Sequence, residues 1–279
     1  MNFKGKTVII TGGSEGVGAA TARAFARAGA YLMLAARGKK KLELLADELR
    51  TRTTVEIFCL DVADPDACAS LFKKAQFEFG AIHVLVNNAG YHVRGPVENI
   101  AVDDLAKMID VNLRAPIVLS RLALPYIRES GGGAIINVAS LAGRTPLAGA
   151  AAYSASKFGL RAFTFALADE IPDSGIKLAV VSPGTIDTGF IMDNLDSVLD
   201  INFSQPISTA EQVADAIVEL CSNAKREHVM PRASGLLTTL TYLFPWLGRI
   251  ARPLLERKGH AVKRRLKEEM HRKKRENAQ

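Results

Sequence analysis

Tyr153 and Lys157 stand four residues apart in a segment, Ala150–Ala168, that reads as a helix. Side chains at i and i+4 share one helical face, so a phenol and an ammonium can be brought to one point. An unperturbed tyrosine ionises near pH ~10 and is a poor base at neutral pH, but a neighbouring positive charge favours its phenolate. A phenol tuned this way can exchange a proton with an oxygen of a bound molecule. Ser140 follows an apolar run, Ala134–Val138, and so stands at the end of a strand where sheets of parallel strands bind their ligands. Asn112 falls in a helical stripe with Leu105, Met108, Ile109 and Leu113. Taken singly, each has a plain structural reading: a surface helix residue, a cap, a helix-interior amide with a local partner.

The elements that would position these groups are legible as alternation. Apolar runs at Thr7–Thr11, Tyr31–Ala35, Val55–Cys59, Ile82–Val86, Ala134–Val138 and Lys177–Val181 are separated by helical patterns such as Ala19–Ala28 and the stripe Leu42, Leu45, Ala46, Leu49. Strands alternating with long helices imply right-handed crossovers and a parallel sheet covered on both faces, an α/β doubly wound fold. Further strands and helices are expected at His228–Pro231 and from a capping box, Ser208 with Glu211, to about Leu220. The first strand runs into Thr11-Gly12-Gly13-Ser14-Glu15-Gly16-Val17-Gly18 and then a helix. A glycine-rich strand-to-helix turn lets backbone N–H groups approach a pyrophosphate, with the helix N-terminus adding partial positive charge.

The spacing Gly-x-x-x-Gly-x-Gly behind Thr11 resembles the glycine motif of the short-chain dehydrogenase/reductase family. Further matches follow in order: Asn87-Asn88-Ala89-Gly90 after the fourth strand, Asn112, Ser140, Tyr153-Ser-Ala-Ser-Lys157, and Pro183-Gly184 with Thr185 and Thr188. The resemblance covers about residues 5–231 and implies a Rossmann-like fold and a nicotinamide-dependent oxidoreductase acting on a carbonyl or alcohol. It implies a catalytic set of Asn112, Ser140, Tyr153 and Lys157. Tyr153 exchanges the proton, Ser140 holds the substrate oxygen, Lys157 also bonds the nicotinamide ribose, and Asn112 anchors a relay water. The implied cofactor contacts are Gly12, Ser14, Glu15, Gly16, Val17 and Gly18 in the turn, Asp61 and Val62 at the adenine, and Asn88, Ala89 and Gly90. Pro183, Gly184, Ile186 and Thr188 are expected at the nicotinamide. Ala115 departs from the glycine that many relatives carry three residues after the asparagine.

The second strand ends Ala35-Ala36-Arg37-Gly38-Lys39-Lys40-Lys41, without the carboxylate that would bond a ribose 2′-hydroxyl and repel a 2′-phosphate. A guanidinium fork suits a phosphate, and the resemblance then implies NADP(H) over NAD(H), with Arg37 and Lys41 near the phosphate. Glu15 argues the other way, since it sets a negative charge in the same turn. No His/Cys/Asp cluster has metal-ligand spacing, and no metal is expected.

Charge divides the chain in two. Residues 249–279 carry 12 Lys/Arg against 4 Asp/Glu, leaving 24 against 25 in residues 1–248. The net charge of +7 therefore belongs to a tail, and the neutral body gives no reason to expect nucleic-acid binding. We expect a catalytic domain over residues 1–234 and an apolar, then basic, helical extension over 235–279. The apolar part, Gly235–Leu247, is too short to span a bilayer. Two readings stay open for the extension: peripheral contact with anionic lipid, or packing on the parent domain or a subunit contact. On the lipid reading, removing Arg249–Gln279 lowers vesicle binding and spares turnover. Gly189–Pro206, rich in Phe, Ile, Leu and Val, either lines an apolar substrate pocket or covers the core, and Arg144 is a candidate to face the cleft. Three widely spaced cysteines and an N-terminus that runs straight into a strand suit a cytoplasmic protein, and the resemblance implies a homodimer or homotetramer. The competing function is a regulatory dinucleotide-binding protein without turnover, against which the complete proton-handling set argues.

Overall fold

The computed structural model describes residues 1–192 and 195–276; Asp193, Asn194 and the last three residues of the basic tail lie outside that range. The chain alternates β1 (Thr7–Thr11), α1 (Gly16–Arg27), β2 (Tyr31–Ala36), α2 (Lys39–Arg50), β3 (Val55–Cys59), α3 (Pro65–Phe79) and β4 (Val84–Asn87). It continues through α4 (Val102–Ile109), a π-helical turn at Asp110–Arg114, α5 (Ala115–Glu129), β5 (Gly133–Val138), α6 (Ala151–Glu170) and β6 (Ile176–Pro183). The last third holds β7 (Ile186–Asp187), α7 (Gly189–Met192), β8 (Ser208–Thr209), α8 (Ala210–Leu220), β9 (Glu227–Met230), α9 (Arg232–Leu243) and α10 (Pro245–Glu276).

Seven strands form one parallel sheet in the order β3-β2-β1-β4-β5-β6-β9. Both faces are covered, because alternate residues of each central strand feed opposite layers. Val8 and Ile10 of β1 join Phe25, Leu42 and Ile217 on one face. Ile9 joins Phe72, Leu119 and Ile135 on the other. Local rules set the helix ends. Asp64 caps α3 by accepting from the N–H groups of Asp66 and Ala67, Pro65 opens it, and Gly80 at φ +73° closes it. Strand order reverses between β1 and β4, and the crevice beyond the strand ends at such a switch is where doubly wound sheets bind ligands.

Several expected boundaries move. The fourth strand begins at Val84, because the residues before it are tied to side chains: Ile82 N–H donates to Ser130 Oγ, while His83 Nδ1 takes the Thr7 N–H. The capping box lies one residue later than Ser208/Glu211. Thr209 accepts from the Gln212 N–H while the Gln212 side chain takes the Thr209 N–H, and Ser208 pairs instead with Ile186 in the β7–β8 ladder. The last strand starts at Glu227. Pro245 opens α10 and interrupts no helix, and α9 runs unbroken across residues 234 and 235. Cys68 and Cys221 are buried, but Cys59 is exposed.

The extension is anchored at two places. Arg144 donates to Thr238, Thr239 and the Gly235 carbonyl in α9, and with Arg161 and Ser182 it grips the Glu227 carboxylate. Further on, Val262, Leu266 and Met270 of α10 pack on Leu195, Val198 and Phe203, with Lys263 paired to Asp200 at 3.1 Å. Among the described residues no helix is long and apolar enough to cross a membrane.

Candidate active site

A cleft of about 1320 Å³ runs along the C-terminal ends of the strands, with the glycine turn at one end and α9–α10 at the other. The turn is shaped by contacts that leave no room for side chains. Gly12 has φ +62°, and a Cβ there would sit 2.9 Å from Ala89 Cα. A Cβ on Gly18 would lie 2.1 Å from the Gly12 carbonyl oxygen. Thr11 locks this turn to the end of β4: its Oγ1 donates to the Val86 carbonyl and accepts from the N–H groups of Asn88 and Ala89, each at 3.1 Å. The Asn88 amide donates to the carbonyls of Thr11 and Gly12 at 3.0 and 3.1 Å. The turn therefore offers a fixed backbone surface at the N-terminus of α1, whose first turn carries no acidic residue.

Gly12, Ser14, Glu15, Gly16, Val17, Arg37, Lys41, Asp61, Val62, Asn88, Ala89, Gly90, Pro183, Gly184, Ile186 and Thr188 all line the cleft. Gly18 does not; it sits behind the surface, where its lack of a Cβ lets α1 approach the turn. The carboxylate of Glu15 is held by Lys41 at 2.5 Å, which offsets the negative charge the turn would otherwise present. Arg37 is exposed at the cleft edge.

Ser140, Tyr153 and Lys157 also line the cleft, whereas Asn112 does not. Ser140 caps a short turn, its Oγ accepting the Ala142 N–H at 3.1 Å. Lys157 is buried, donates to the Val138 carbonyl at 2.8 Å, and places Nζ 5.7 Å from the centre of the Tyr153 ring. Burial pushes the Lys157 ammonium down to about 8. Burial also raises the Tyr153 phenol above its ordinary value, while the Ser140 hydroxyl and the Arg94 guanidinium act in the opposite sense and favour the phenolate. The cation that favours the phenolate is thus Arg94, whereas the expected helical neighbour, Lys157, stands beside the ring and directs its ammonium to the Val138 carbonyl. Asn112, wholly buried in the π-helical turn, donates its amide to the Tyr91 carbonyl and to Ser156 Oγ and accepts the Tyr91 N–H at 2.8 Å. Its side chain clamps the loop after β4, with both amide hydrogens already engaged.

That loop carries two residues the sequence reading passed over. His92 stacks on Tyr153, ring centres 4.0 Å apart and planes within 12°. Its Nε2 is buried without a partner, and burial, reinforced by Arg94 and Lys157, pushes it down to about 3. Arg94 lies over the Phe190 ring at 5.4 Å, and burial lowers it. Neither residue belongs to a spaced motif; the available signal was a histidine and an arginine directly after Asn88-Ala89-Gly90. Arg144, by contrast, points away from the cleft, because Glu227 and the α9 hydroxyls claim it.

The Gly189–Pro206 segment divides between its two expected roles. Phe190, Ile191, Leu199 and Ile201 line the cleft, while Leu195, Val198 and Phe203 are buried beneath α10. From the extension, Leu237, Thr241, Tyr242, Arg249, Arg252 and Leu255 complete the wall.

The residues present fit a dinucleotide. The backbone cradle of the turn, the Asp61–Val62 edge and the Asn88–Gly90 strip lie on one side of the reaction centre, and the loop of Pro183–Thr188 faces them, with Thr188 Cγ2 within 3.5 Å of where a Gly16 Cβ would be.

Comparison with known proteins agrees. The family model for the short chain dehydrogenase matches residues 6–198. A ketoacyl reductase, HetN, of Nostoc sp. is 34% identical over 255 residues, covering 91% of this chain and 88% of the relative. Sulfoacetaldehyde reductase 2 of Chromohalobacter salexigens is 34% identical over 236 residues, covering 80% of this chain and 93% of the relative. Dehydrogenase/reductase SDR family member 7B of Mus musculus is 32% identical over 81% of this chain and 73% of its own length. With a backbone cradle, a buried lysine and a cleft-facing tyrosine and serine in this order, the chain belongs to the short-chain dehydrogenase/reductase family, whose oxidoreductases use a nicotinamide cofactor, NAD(H) or NADP(H).

Proposed function

We propose that this oxidoreductase uses NADP(H) to interconvert a ketone or aldehyde with its alcohol, on an apolar substrate, with Tyr153 as the general acid and base. The observation that carries the reading is the position of the Tyr153 phenol. It lies on the cleft wall between the glycine turn and a chamber lined by Phe190, Ile191, Leu199, Ile201, Leu237 and Leu255.

A bound nicotinamide dinucleotide supplies or accepts the hydride. In reduction, Tyr153 gives its phenolic proton to the carbonyl oxygen, and Ser140 Oγ–H donates to the same oxygen and polarises it. Arg94 and Ser140 then stabilise the phenolate left behind, each favouring the charged form of Tyr153. His92, neutral through the physiological range, packs flat on the phenol and fixes its plane. Lys157 holds its ammonium against the Val138 carbonyl and beside the phenol, and would be the residue that holds the cofactor ribose. Asn112 holds the Tyr91 backbone and so sets the loop that delivers His92 and Arg94. The apolar chamber excludes water from the far side of the substrate.

Support for NADP(H) comes from the cleft edge, where Ala36-Arg37-Gly38 offers no carboxylate and Lys41 neutralises Glu15. The reductase names of two relatives support reduction as the working direction.

The reading is tested by following nicotinamide absorbance across a panel of ketones and alcohols with both dinucleotides. Tyr153→Phe is expected to bind NADPH as the wild type does and to lose about 10²–10⁴-fold in turnover. Equal turnover in the two proteins overturns the assignment of Tyr153.

A further inference from the structure

The α9–α10 hairpin has two working faces, and the cleft uses one of them. Leu237, Thr241, Gly248, Arg249, Arg252 and Leu255 look into the cleft. A second stripe, Leu236, Leu240 and Leu243 on α9, with Phe244 at the elbow and Trp246, Ile250 and Leu254 on α10, is open to solvent; Leu236 is 68% exposed and Ile250 and Leu254 are each 72% exposed. The spacings i, i+4, i+7 and i, i+4, i+8 put each set on one side of its helix. Exposed apolar stripes of this kind on two consecutive helices mark a contact surface.

Charge indicates what it contacts. From His228 to Leu255 the sequence contains no carboxylate; Arg249 and Arg252 of that stretch face the cleft, Arg252 being paired with Glu256 at 2.7 Å, but Arg232 stands at its start and residues 257–279 beyond it carry ten Lys/Arg against three Asp/Glu. Large aliphatic and aromatic side chains bordered by cations, with no acidic residue between them, match an anionic lipid surface, where Trp, Phe and Leu sit at the headgroup boundary and Arg and Lys meet the phosphates. We propose that the outer face of the α9–α10 hairpin docks on the surface of an anionic bilayer, so that the wall of the catalytic cleft is itself the membrane-binding element. The same two helices that touch lipid then line the chamber, which favours a carbonyl substrate that resides in the bilayer. This substrate class rests on the cleft being the carbonyl site; the docking face does not.

The structure also revises what deletion of the tail can report. Because Arg249, Arg252 and Leu255 line the cleft and α10 packs on Leu195, Val198 and Phe203, removing Arg249–Gln279 damages the chamber as well as any lipid contact. Point substitutions on the outer stripe separate the two. The triple variant Leu243→Glu/Trp246→Glu/Ile250→Glu changes side chains that are exposed and outside the cleft.

Full-length protein is mixed with vesicles of phosphatidylcholine alone or of phosphatidylcholine with phosphatidylglycerol, and co-sedimentation is measured. Expected is binding to the anionic vesicles that weakens as salt is raised and falls about tenfold or more in the triple variant, whose thermal melting and NADPH-induced melting shift stay those of the wild type. Three results overturn the proposal: no preference of the wild type for anionic vesicles, equal sedimentation of wild type and variant, or stripes that instead join two copies, seen as a wild-type oligomer that the variant dissolves without any vesicle binding. Turnover of a water-soluble ketone by both proteins reports separately on the catalytic reading.

Discussion

The two ends of the cleft are built on opposite principles. At the cofactor end the wall is main chain. Gly12 and Gly18 leave no space for a Cβ, and Thr11 and Asn88 bind the turn to the next strand through five hydrogen bonds. At the substrate end the wall is side chain, presented by short segments and by two helices held at a distance by Glu227 and by Asp200. A backbone surface can serve one ligand shape and tolerates little change, whereas a wall of apolar side chains can be redrawn residue by residue while the chemistry between the two ends stays fixed. The fold thus separates a constant half-reaction from a variable one.

The sharpest way to break this comparison is Gly18→Ala. The added methyl meets the Gly12 carbonyl at 2.1 Å and Asn88 Nδ2 at 2.7 Å, and neither group has freedom to retreat. Dinucleotide affinity is expected to fall about 100-fold, the equivalent of ~3 kcal/mol of overpacking strain. Titration of NADPH by fluorescence measures it; an unchanged affinity means that the turn is not the rigid wall described.

The same contrast explains what was legible in the sequence. Where backbone must approach a ligand, the chain is forced to glycine, and the forced residues are visible as a motif. The turn, the strand alternation and Tyr153 with Lys157 are readable because each rests on spacing. The buried stripe Leu42, Leu45, Ala46 and Leu49 of α2 is readable for the same reason. His92 and Arg94 were not readable, since their placement depends on Asn112 clamping the Tyr91 backbone across 21 residues. Arg144 misled for a related reason: an arginine near Tyr153 in sequence finds its partner 83 residues away in Glu227. The extension stayed open between lipid contact and packing on the domain or a subunit because charge and hydropathy give composition, whereas its close approach to the Asp200 segment depends on Gly259, a glycine with no motif around it.

Glu227→Gln tests how the substrate wall is attached. Burial alone raises this carboxyl, yet hydrogen bonds from Arg161, Arg144 and Ser182, with the charge of Arg161, more than offset that and hold it below its ordinary value. The substitution leaves Arg144 and Arg161 without their shared counter-charge, and urea unfolding is expected to register a loss of about 2–3 kcal/mol at neutral pH. Because the folded-state carboxyl titrates below the unfolded one, its contribution is complete above the unfolded value of roughly 4.3 and disappears as pH falls through the folded value. The gap between wild type and variant should therefore close in acid. A gap that is constant with pH would mean that the loss comes from packing and not from the carboxylate.

Arg37→Asp sharpens the other end. It leaves the glycine turn untouched and changes one exposed side chain at the cleft edge. The ratio of NADPH to NADH affinity is expected to fall about tenfold, the size of one charge-assisted hydrogen bond at an exposed site. An unchanged ratio would remove Arg37 from the phosphate and with it the preference for NADP(H).

Gly259→Ala has the smallest expected effect and discriminates best between the two walls. A Cβ at this position of α10 would lie 1.8 Å from the Asp200 carbonyl oxygen, so the helix must lift from the segment that carries Leu199 and Ile201. Both of those residues line the chamber. If the cleft is divided as described, KM for a bulky ketone rises by about three- to tenfold, the price of roughly 1 kcal/mol of misplaced wall, while NADPH affinity is unchanged. A small ketone that does not reach Leu199 should be turned over at the wild-type rate. Loss of NADPH affinity in this variant would show the two ends to be mechanically coupled, and the rigid cradle would then depend on the very helices that build the opposite wall.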